Sequence, residues 1–283
     1  MNVNNNKFKP GLYCVATPIG NMGDISFRAI EILKNSDLIL CEDTRVSKKI
    51  FQKFDINKKI ISNHKFNENK NLEKVLEILK NKKIVSLVSD AGTPAVSDPG
   101  KILVRSCVNS GIDVFPIPGP SAVSAAISIS GFSDNFYFCG FLPEKEKQIK
   151  KLFKSLSLLE SSIVFFVSPN KFNKRIEDIK EFFLNREILI CREITKYHEE
   201  YIRSSVEELS NVNFSRKGEI TVVISELKKE KLSFNDLKES DKKKINKLIK
   251  KMSIKDIVKK ISEDREISKK LIYNYCLELK NEN

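Results

Sequence analysis

The sequence predicts an α/β protein: two α/β domains followed by a small helical module. Three observations point there. Short apolar runs alternate with amphipathic stretches, and several of those runs end in loops containing Gly or Pro. From Lys231 onward the chain turns Lys-rich and carries no further strand signal.

Leu12–Ala16 is the first strand, ending at Thr17-Pro18-Ile19-Gly20-Asn21. Asp24 is placed to cap a helix to about Lys34, with Ile25, Ala29, Ile32 and Leu33 as its apolar stripe. Leu38–Cys41 reads as a strand, Leu72–Leu79 as a helix and Ile84–Val88 as a strand. Lys101–Asn109 is a helix closed by Gly111, and Ile112–Ile117 a further strand. Pro116-Ile117-Pro118-Gly119-Pro120 cannot lie inside a helix, so it marks the boundary between domains 11–118 and 119–230. The second domain reads as helix Ser121–Ser130, strand Phe136–Cys139 and a basic helix from Glu146 to about Leu158. Strand Ile163–Val167, helix Asn170–Phe183 and strands Glu187–Cys191 and Glu219–Ser225 complete it. In the module, 231–283, two short helices at Ser253–Ser262 and Ser268–Leu279 flank Glu263-Asp264-Arg265-Glu266. Residues 1–10 read as a disordered polar tail without the apolar block of a secretory signal.

Fifty Lys and Arg against 37 Asp and Glu give a net charge of +13. Such an excess favours polyanionic partners, because neutralising phosphates releases counterions. A Lys-, Asn- and Ile-rich composition also follows from an AT-rich genome. The distribution favours the first reading: residues 231–283 hold 15 basic and nine acidic residues. No apolar run approaches the ~20 residues that span a bilayer, so a cytoplasmic protein without a membrane role is expected. Cys14, Cys41, Cys107, Cys139, Cys191 and Cys276 form no CxxC pair and read as buried reduced thiols. With only His64 and His198 besides, no metal site is expected.

Three loops follow apolar strands: Ala16 to Asp24, Ser89-Asp90-Ala91-Gly92-Thr93-Pro94 with Ser97-Asp98-Pro99-Gly100, and Pro118-Gly119-Pro120-Ser121-Ala122. Open α/β sheets bind ligands beyond the carboxyl ends of their strands, where glycine lets the backbone come close. None of the three is a GxGxxG or Walker A sequence, which argues against a dehydrogenase or a P-loop enzyme.

With these loops, Cys41-Glu42-Asp43-Thr44-Arg45, Gly140-Phe141-Leu142-Pro143, Arg192-Glu193-Ile194-Thr195-Lys196 and Lys217-Gly218-Glu219 occur in one order. Together they resemble the bacterial small-subunit (16S rRNA) cytidine-2′-O-methyltransferases of the tetrapyrrole methylase superfamily. The likeness covers about residues 11–226, and the tail is similar to the helical carboxyl-terminal domain of the same proteins. It implies two α/β domains of tetrapyrrole-methylase type with a cofactor cleft between them, and a homodimer. It implies S-adenosylmethionine as methyl donor and a cytidine ribose of 16S rRNA in the small ribosomal subunit as acceptor. After strand Ile163–Val167 the family carries an acidic residue and then a His-Arg pair. This chain has Val167 and Asn170 there instead, so no catalytic role is assigned to that stretch.

The cofactor is expected at Pro18, Gly20, Asp90, Ala91, Gly92, Thr93, Ser121, Ala122, Phe141 and Leu142. Asp90 equally suits an Asx-turn, Ser121 a helix cap, and Phe141 and Leu142 a core. Glu42, Asp43 and Arg45 form the expected catalytic, acceptor-side cluster. Arg45 would hold a phosphate, and Glu42 or Asp43 would orient the 2′-hydroxyl or take its proton. A purely structural cluster is the competing reading. Asp98 is as well placed for a cap as for catalysis. Arg45, Arg192, Lys196, Lys259, Lys260, Lys269 and Lys270 are the expected RNA contacts, with a solvated ion-pair edge the alternative for Arg192 and Lys196. Two other functions compete: a superfamily methylase acting on a tetrapyrrole or a protein, and a non-catalytic ribosome-assembly factor, which need not bind the cofactor.

Overall fold

The computed structural model describes residues 8–213, 215–227, 237–249, 251–264 and 269–281. The chain divides into two compact units, 1–227 and 228–283.

The first sheet of the larger unit is built from β1 (Gly11–Val15), β2 (Leu38–Cys41), β3 (Ile60–Ser62), β4 (Ile84–Val88) and β5 (Val114–Ile117), in the order β3-β2-β4-β1-β5. All its pairings are parallel. A parallel sheet is covered on both faces, and the strand alternation sorts the apolar side chains accordingly. Tyr13, Val15, Ile39 and Cys41 join Ala29, Ile32 and Leu33 of α1 (Phe27–Asn35) and Ile50 and Phe51 of α2 (Thr44–Lys53). Leu12, Leu38 and Leu40 join Val75 and Leu79 of α3 (Glu68–Lys80) and Leu103 and Cys107 of α4 (Lys101–Asn109) on the other face.

The second sheet holds β6 (Phe136–Phe141), β7 (Ser162–Val167), β8 (Glu187–Arg192), β9 (Glu200–Ser205) and β10 (Ile220–Ile224), ordered β6-β7-β10-β8-β9. Only β6 and β7 run parallel; β10 and β9 pair antiparallel with their neighbours. Val123 and Ala126 of α5 (Ala122–Ser130) pack on the face carrying Val164, Leu189 and Val223. On the opposite face, α6 (Glu146–Leu156) and α8 (Ile176–Phe183) bury Ile149, Phe153, Ile179 and Phe183 against Phe165, Ile190 and Val222.

The smaller unit contains α9 (Glu239–Leu248), α10 (Ile254–Asp264) and α11 (Lys269–Asn281), around buried Leu237, Ile245, Ile257, Ile261, Ile272 and Cys276. Ser253, just before α10, and Asp256 in its first turn hydrogen-bond reciprocally, a capping pair that fixes the helix start. No described helix is long and apolar enough to cross a membrane.

Several expectations need correction. The first helix starts at Phe27 under a Ser26 cap that accepts the Ala29 N–H at 3.1 Å; Asp24 ends a separate short turn capped by Asn21. Elements α2, β3, β9 and α9 were not foreseen. The helix expected over 170–183 is two, because the chain bends at Lys174–Arg175 after α7 (Pro169–Asn173). There Arg175 turns to pair with Asp178 at 3.1 Å. Residues 1–7 of the expected tail lie outside the described residues, but Phe8 packs edge-on against Tyr13, and Lys9 O accepts the Tyr13 hydroxyl at 2.8 Å. Residues 8 and 9 of that stretch therefore pack against β1.

Arg186 is the largest fully buried side chain, at 1% exposure. Its guanidinium donates to Ser225 O (3.0 Å), Ser157 O (2.7 Å) and Leu159 O (3.0 Å), joining the end of β10 to the turn after α6. Arg186→Met keeps the length but removes the donor from three carbonyls, one buried and two part-buried. A loss of roughly 3 kcal/mol in the unfolding free energy is expected from urea denaturation of the full chain.

Candidate active site

The connections after β1 and β4 leave to opposite faces of the first sheet: α1 covers one face and α4 the other. This is the switch point at which open α/β sheets form their ligand crevice. Thr17 and Gly92 exchange backbone hydrogen bonds there at 2.9 and 3.0 Å, fastening the two loops together. Gly92 sits at φ +79°, a left-handed conformation that suits glycine, and an added Cβ would lie 3.3 Å from Ile19.

A cavity of about 400 Å³ opens beside this bridge, between the two sheets. The first domain contributes Ile19, Asp90, Ala91, Gly92, Thr93, Val96 and Asp98. The second contributes Ser121 and Ala122 at the start of α5, Phe141 after the β6 bulge, Phe166 and Val167 of β7, and Glu193, Ile194, Lys196, Glu219 and Thr221. Ala95, Ser97, Glu193 and Thr195 all adopt positive φ in the two loops that flank the cavity. Non-glycine residues hold such angles where the surrounding structure dictates them, as at ligand sites.

A second, more open hollow is lined by Glu42, Asp43, Thr44, Arg45, Ser62, His64 and Asp90. Asp90 is therefore a wall common to both spaces. Its carboxylate accepts the Asp43 N–H at 2.9 Å, and burial, with Asp43 adding to it, raises its pKa. Asp43 caps α2 by accepting the Arg45 N–H at 2.8 Å and also holds the Arg45 guanidinium at 2.6 Å. The hydrogen bonds from Arg45 bring Asp43 down to about 2, which makes it a weak base. Glu42 differs: burial, then the nearby Asp90, Asp98 and Asp43 charges, raise its pKa. In the first cavity Asp98 is pushed up to about 6 by burial, against the pull of the Ser89 hydroxyl. The His64 Nδ1 accepts the Phe66 N–H at 3.2 Å, so a neutral His64 carries its proton on Nε2 and acts as a donor.

Of the expected cofactor residues, Asp90, Ala91, Gly92, Thr93, Ser121, Ala122 and Phe141 line the first cavity. Pro18, Gly20 and Leu142 do not. Leu142 is buried in the core of the second domain. Gly20 is a close-approach position, since an added Cβ would fall 2.5 Å from Lys196 Cγ and 2.8 Å from Thr195 Oγ1. The expected cluster Glu42, Asp43 and Arg45 lies together in the second hollow. Arg192 is committed internally, to Glu200 at 2.8 Å and to the carbonyls of His198 and Lys217, so it is not free for RNA. Lys196 lines the cavity, held at 2.9 Å by Glu193 and 3.0 Å by Glu219. Burial disfavours its charge, yet these two carboxylates outweigh that and raise its pKa. Lys259, Lys260 and Lys269 are exposed on the smaller unit; the Lys270 side chain lies outside the described residues.

Asp98 was weighed only as a cap or a catalytic group, and Lys196 only as an RNA contact; the ion pairs that tie Lys196 to Glu193 and Glu219 in the cavity wall were not expected. Its place in the loop after β4, followed by Pro-Gly, was the available signal for Asp98. The network joins residues 26 apart in sequence through the pairing of β8 and β10 and has no local signature. Among the described residues, no group of three or more His, Cys, Asp or Glu is arranged to hold a metal ion.

Two open α/β sheets enclosing a cleft of this kind define a class, the tetrapyrrole methylases, which draw their methyl group from S-adenosylmethionine. The sequence pattern of Tetrapyrrole (Corrin/Porphyrin) Methylases matches residues 11–210. Solved structures of the class share the fold: a diphthine synthase at TM-score 0.58 and 16% identity, covering 76% of this chain and 89% of that one. A cobalt-precorrin-4 methyltransferase of cobalamin biosynthesis does so at TM-score 0.54 and 18% identity, over 76% of this chain and 94% of that one. Ribosomal RNA small subunit methyltransferase I of Thermotoga maritima is 44% identical over 218 residues, 76% of this chain and 97% of its own. Its counterpart in Halalkalibacterium halodurans is 36% identical over 275 residues, 94% of each chain. The chain belongs to the ribosomal RNA small subunit methyltransferase I family and is an S-adenosylmethionine-dependent methyltransferase.

The cavity fits that cofactor. Its volume is that of a small-ligand site, and Ile19, Ala122, Phe141 and Val167 give it apolar walls. Asp90, Asp98 and Glu193 would supply acceptors for hydroxyls and an ammonium group.

The raised pKa of Asp98 has a measurable consequence. Its neutral form is favoured in the folded protein, so its contribution to stability is full below the unfolded value near 3.8 and is lost as pH rises to about 6. Asp98→Asn removes that loss. Without cofactor, the variant is expected to gain about 1 kcal/mol over the unaltered chain between pH 4 and pH 7.5, after allowing for solvent screening. An equal stability difference at both pH values in urea denaturation contradicts this.

Proposed function

We propose that the chain transfers a methyl group from S-adenosylmethionine to the 2′-hydroxyl of a cytidine ribose in small-subunit (16S) ribosomal RNA. The observation that carries the proposal is the shared Asp90 wall between a more enclosed cavity suited to the donor and a more open, charged hollow suited to an acceptor. The bound cofactor supplies an electrophilic methyl carbon, so the chain's task is alignment and removal of one proton. Glu42 takes the 2′-hydroxyl proton, its affinity for it raised by burial and by neighbouring carboxylates. Asp43 holds Arg45 and the start of α2, and Asp90 fixes Asp43 from behind. The exposed Arg45 guanidinium faces the acceptor's phosphate. Phe141 and Val167 keep the donor side apolar and exclude water. The enzyme acts in the bacterial cytoplasm, as a homodimer, on the small subunit.

Tritium transfer from labelled cofactor to small subunits lacking the modification, followed by nucleoside analysis, tests the activity. 2′-O-methylcytidine is the expected product; label on a base, on protein or nowhere rejects the reading. In the same assay Glu42→Gln should lower the rate roughly 10²- to 10⁴-fold. Calorimetry should find its cofactor affinity within about twofold of the unaltered chain. A proportionate loss of cofactor binding would return Glu42 to the donor site or the fold.

The smaller unit is proposed to hold RNA phosphates through Lys259, Lys260 and Lys269. Replacing Lys259 and Lys260 by Gln should leave cofactor affinity intact and flatten the salt dependence of subunit binding. Each lost phosphate contact lowers the log–log slope by roughly 0.7–0.9. An unchanged slope excludes these two lysines as contacts.

A further inference from the structure

Phe66 is 91% exposed, on the connection between β3 and α3, two residues after His64 in the acceptor hollow. The loop that presents it is braced on all sides. The Asn67 side chain accepts the His64 N–H at 2.7 Å and donates to Ser62 O at 3.1 Å; Asn71 donates to the same carbonyl at 2.8 Å. Buried Glu68 accepts the Leu103 N–H at 3.0 Å and so ties the loop to α4. Phe66 is thus held out toward solvent by a fixed backbone. Its ring lies 6.1 Å from that of His64, at 65° to it.

Exposed cations surround the hollow, whose own wall holds Glu42, Asp43 and Asp90. Arg45 has an 87% exposed side chain at the mouth of the hollow. Lys48 and Lys49, three and four positions further along α2, share its helix face and are exposed, as are Lys65 and Lys70 beside Phe66. No ion pair engages Lys48, Lys49, Lys65 or Lys70 among the described residues. A rigid exposed aromatic ring beside a basic helix face is the combination that holds unpaired nucleic acid: bases stack while cations follow the phosphates.

We propose that Phe66 is a stacking platform for an unpaired RNA base next to the methylated nucleotide, with the phosphates running along the Arg45–Lys48–Lys49 face of α2. The inference rests on the reading of RNA as acceptor. It makes Phe66 a positioning residue for the substrate; the chemistry stays with the hollow.

The chain contains no Trp, so Phe66→Trp places a single tryptophan at the site. Titrating this variant with an unpaired ten-nucleotide cytidine-rich RNA should quench its emission saturably. The quench should shift to higher RNA concentration when Lys48 and Lys49 are also replaced by Gln. In methyl transfer to small subunits, Phe66→Ala should raise KM roughly 5- to 100-fold, with kcat and cofactor affinity unchanged, and Phe66→Tyr should restore KM. Absence of quenching while the RNA still binds by anisotropy overturns the proposal, as does an unchanged KM for Phe66→Ala. A raised KM for subunits with unaltered oligonucleotide affinity overturns it too, in favour of a ribosomal protein against Phe66. Failure of the unaltered chain to methylate RNA rejects the acceptor reading itself, a result the quenching measurement does not share.

Discussion

The reciprocal hydrogen bonds between Thr17 and Gly92 set the geometry on which the rest of the cleft depends. They join the carboxyl ends of two neighbouring parallel strands just where their connections diverge to opposite faces. From this fixed point one loop reaches the second domain: the Asn21 N–H donates to Thr195 Oγ1 at 3.0 Å, and Gly20 packs against Ile194–Lys196. The other loop carries Asp90 and Asp98 into the cavity. Cleft width and carboxylate position thus follow from a single backbone contact and one glycine close approach.

Around that point the acidic residues are differentiated by surroundings rather than by type. Asp43 is drained of basicity by the Arg45 guanidinium, whereas Glu42, Asp90 and Asp98 are made more basic by burial and then by neighbouring carboxylates. Carboxylates pushed apart in this way take different roles, one structural and another able to hold a proton. On the far side of the cavity Lys196 offsets one of the two carboxylate charges that hold it.

The strands at Leu38–Cys41, Ile84–Val88 and Ile163–Val167 were legible in the sequence because a strand buried on both faces is a continuous apolar run. Elements with weaker patterns were not. Strand β3 has three half-buried residues, β9 is an edge strand with Glu200, Arg203 and two serines, and α9 draws only a few apolar residues from a Lys-rich stretch. Helix α2 went unseen because Asp43 was read for its chemistry, although its bond to the Arg45 N–H is a helix cap. In the site, the strand-end loops were visible from Gly and Pro. Whether Leu142 or Phe141 faces the cavity is a matter of the β6 bulge, and whether Arg192 is free depends on β9; neither is written locally.

Asp90 faces two spaces at once, and that has a thermodynamic corollary. A group placed in either space changes the energy of the same carboxylate, so occupancy of one changes affinity in the other by an equal factor. Neutralising Asp90 from the donor side alters the field that an incoming phosphate meets, and a phosphate near Arg45 alters the field at the donor. A single half-buried side chain common to both spaces is thus enough to couple their occupants, and the sign of that coupling is set by the charge each one brings.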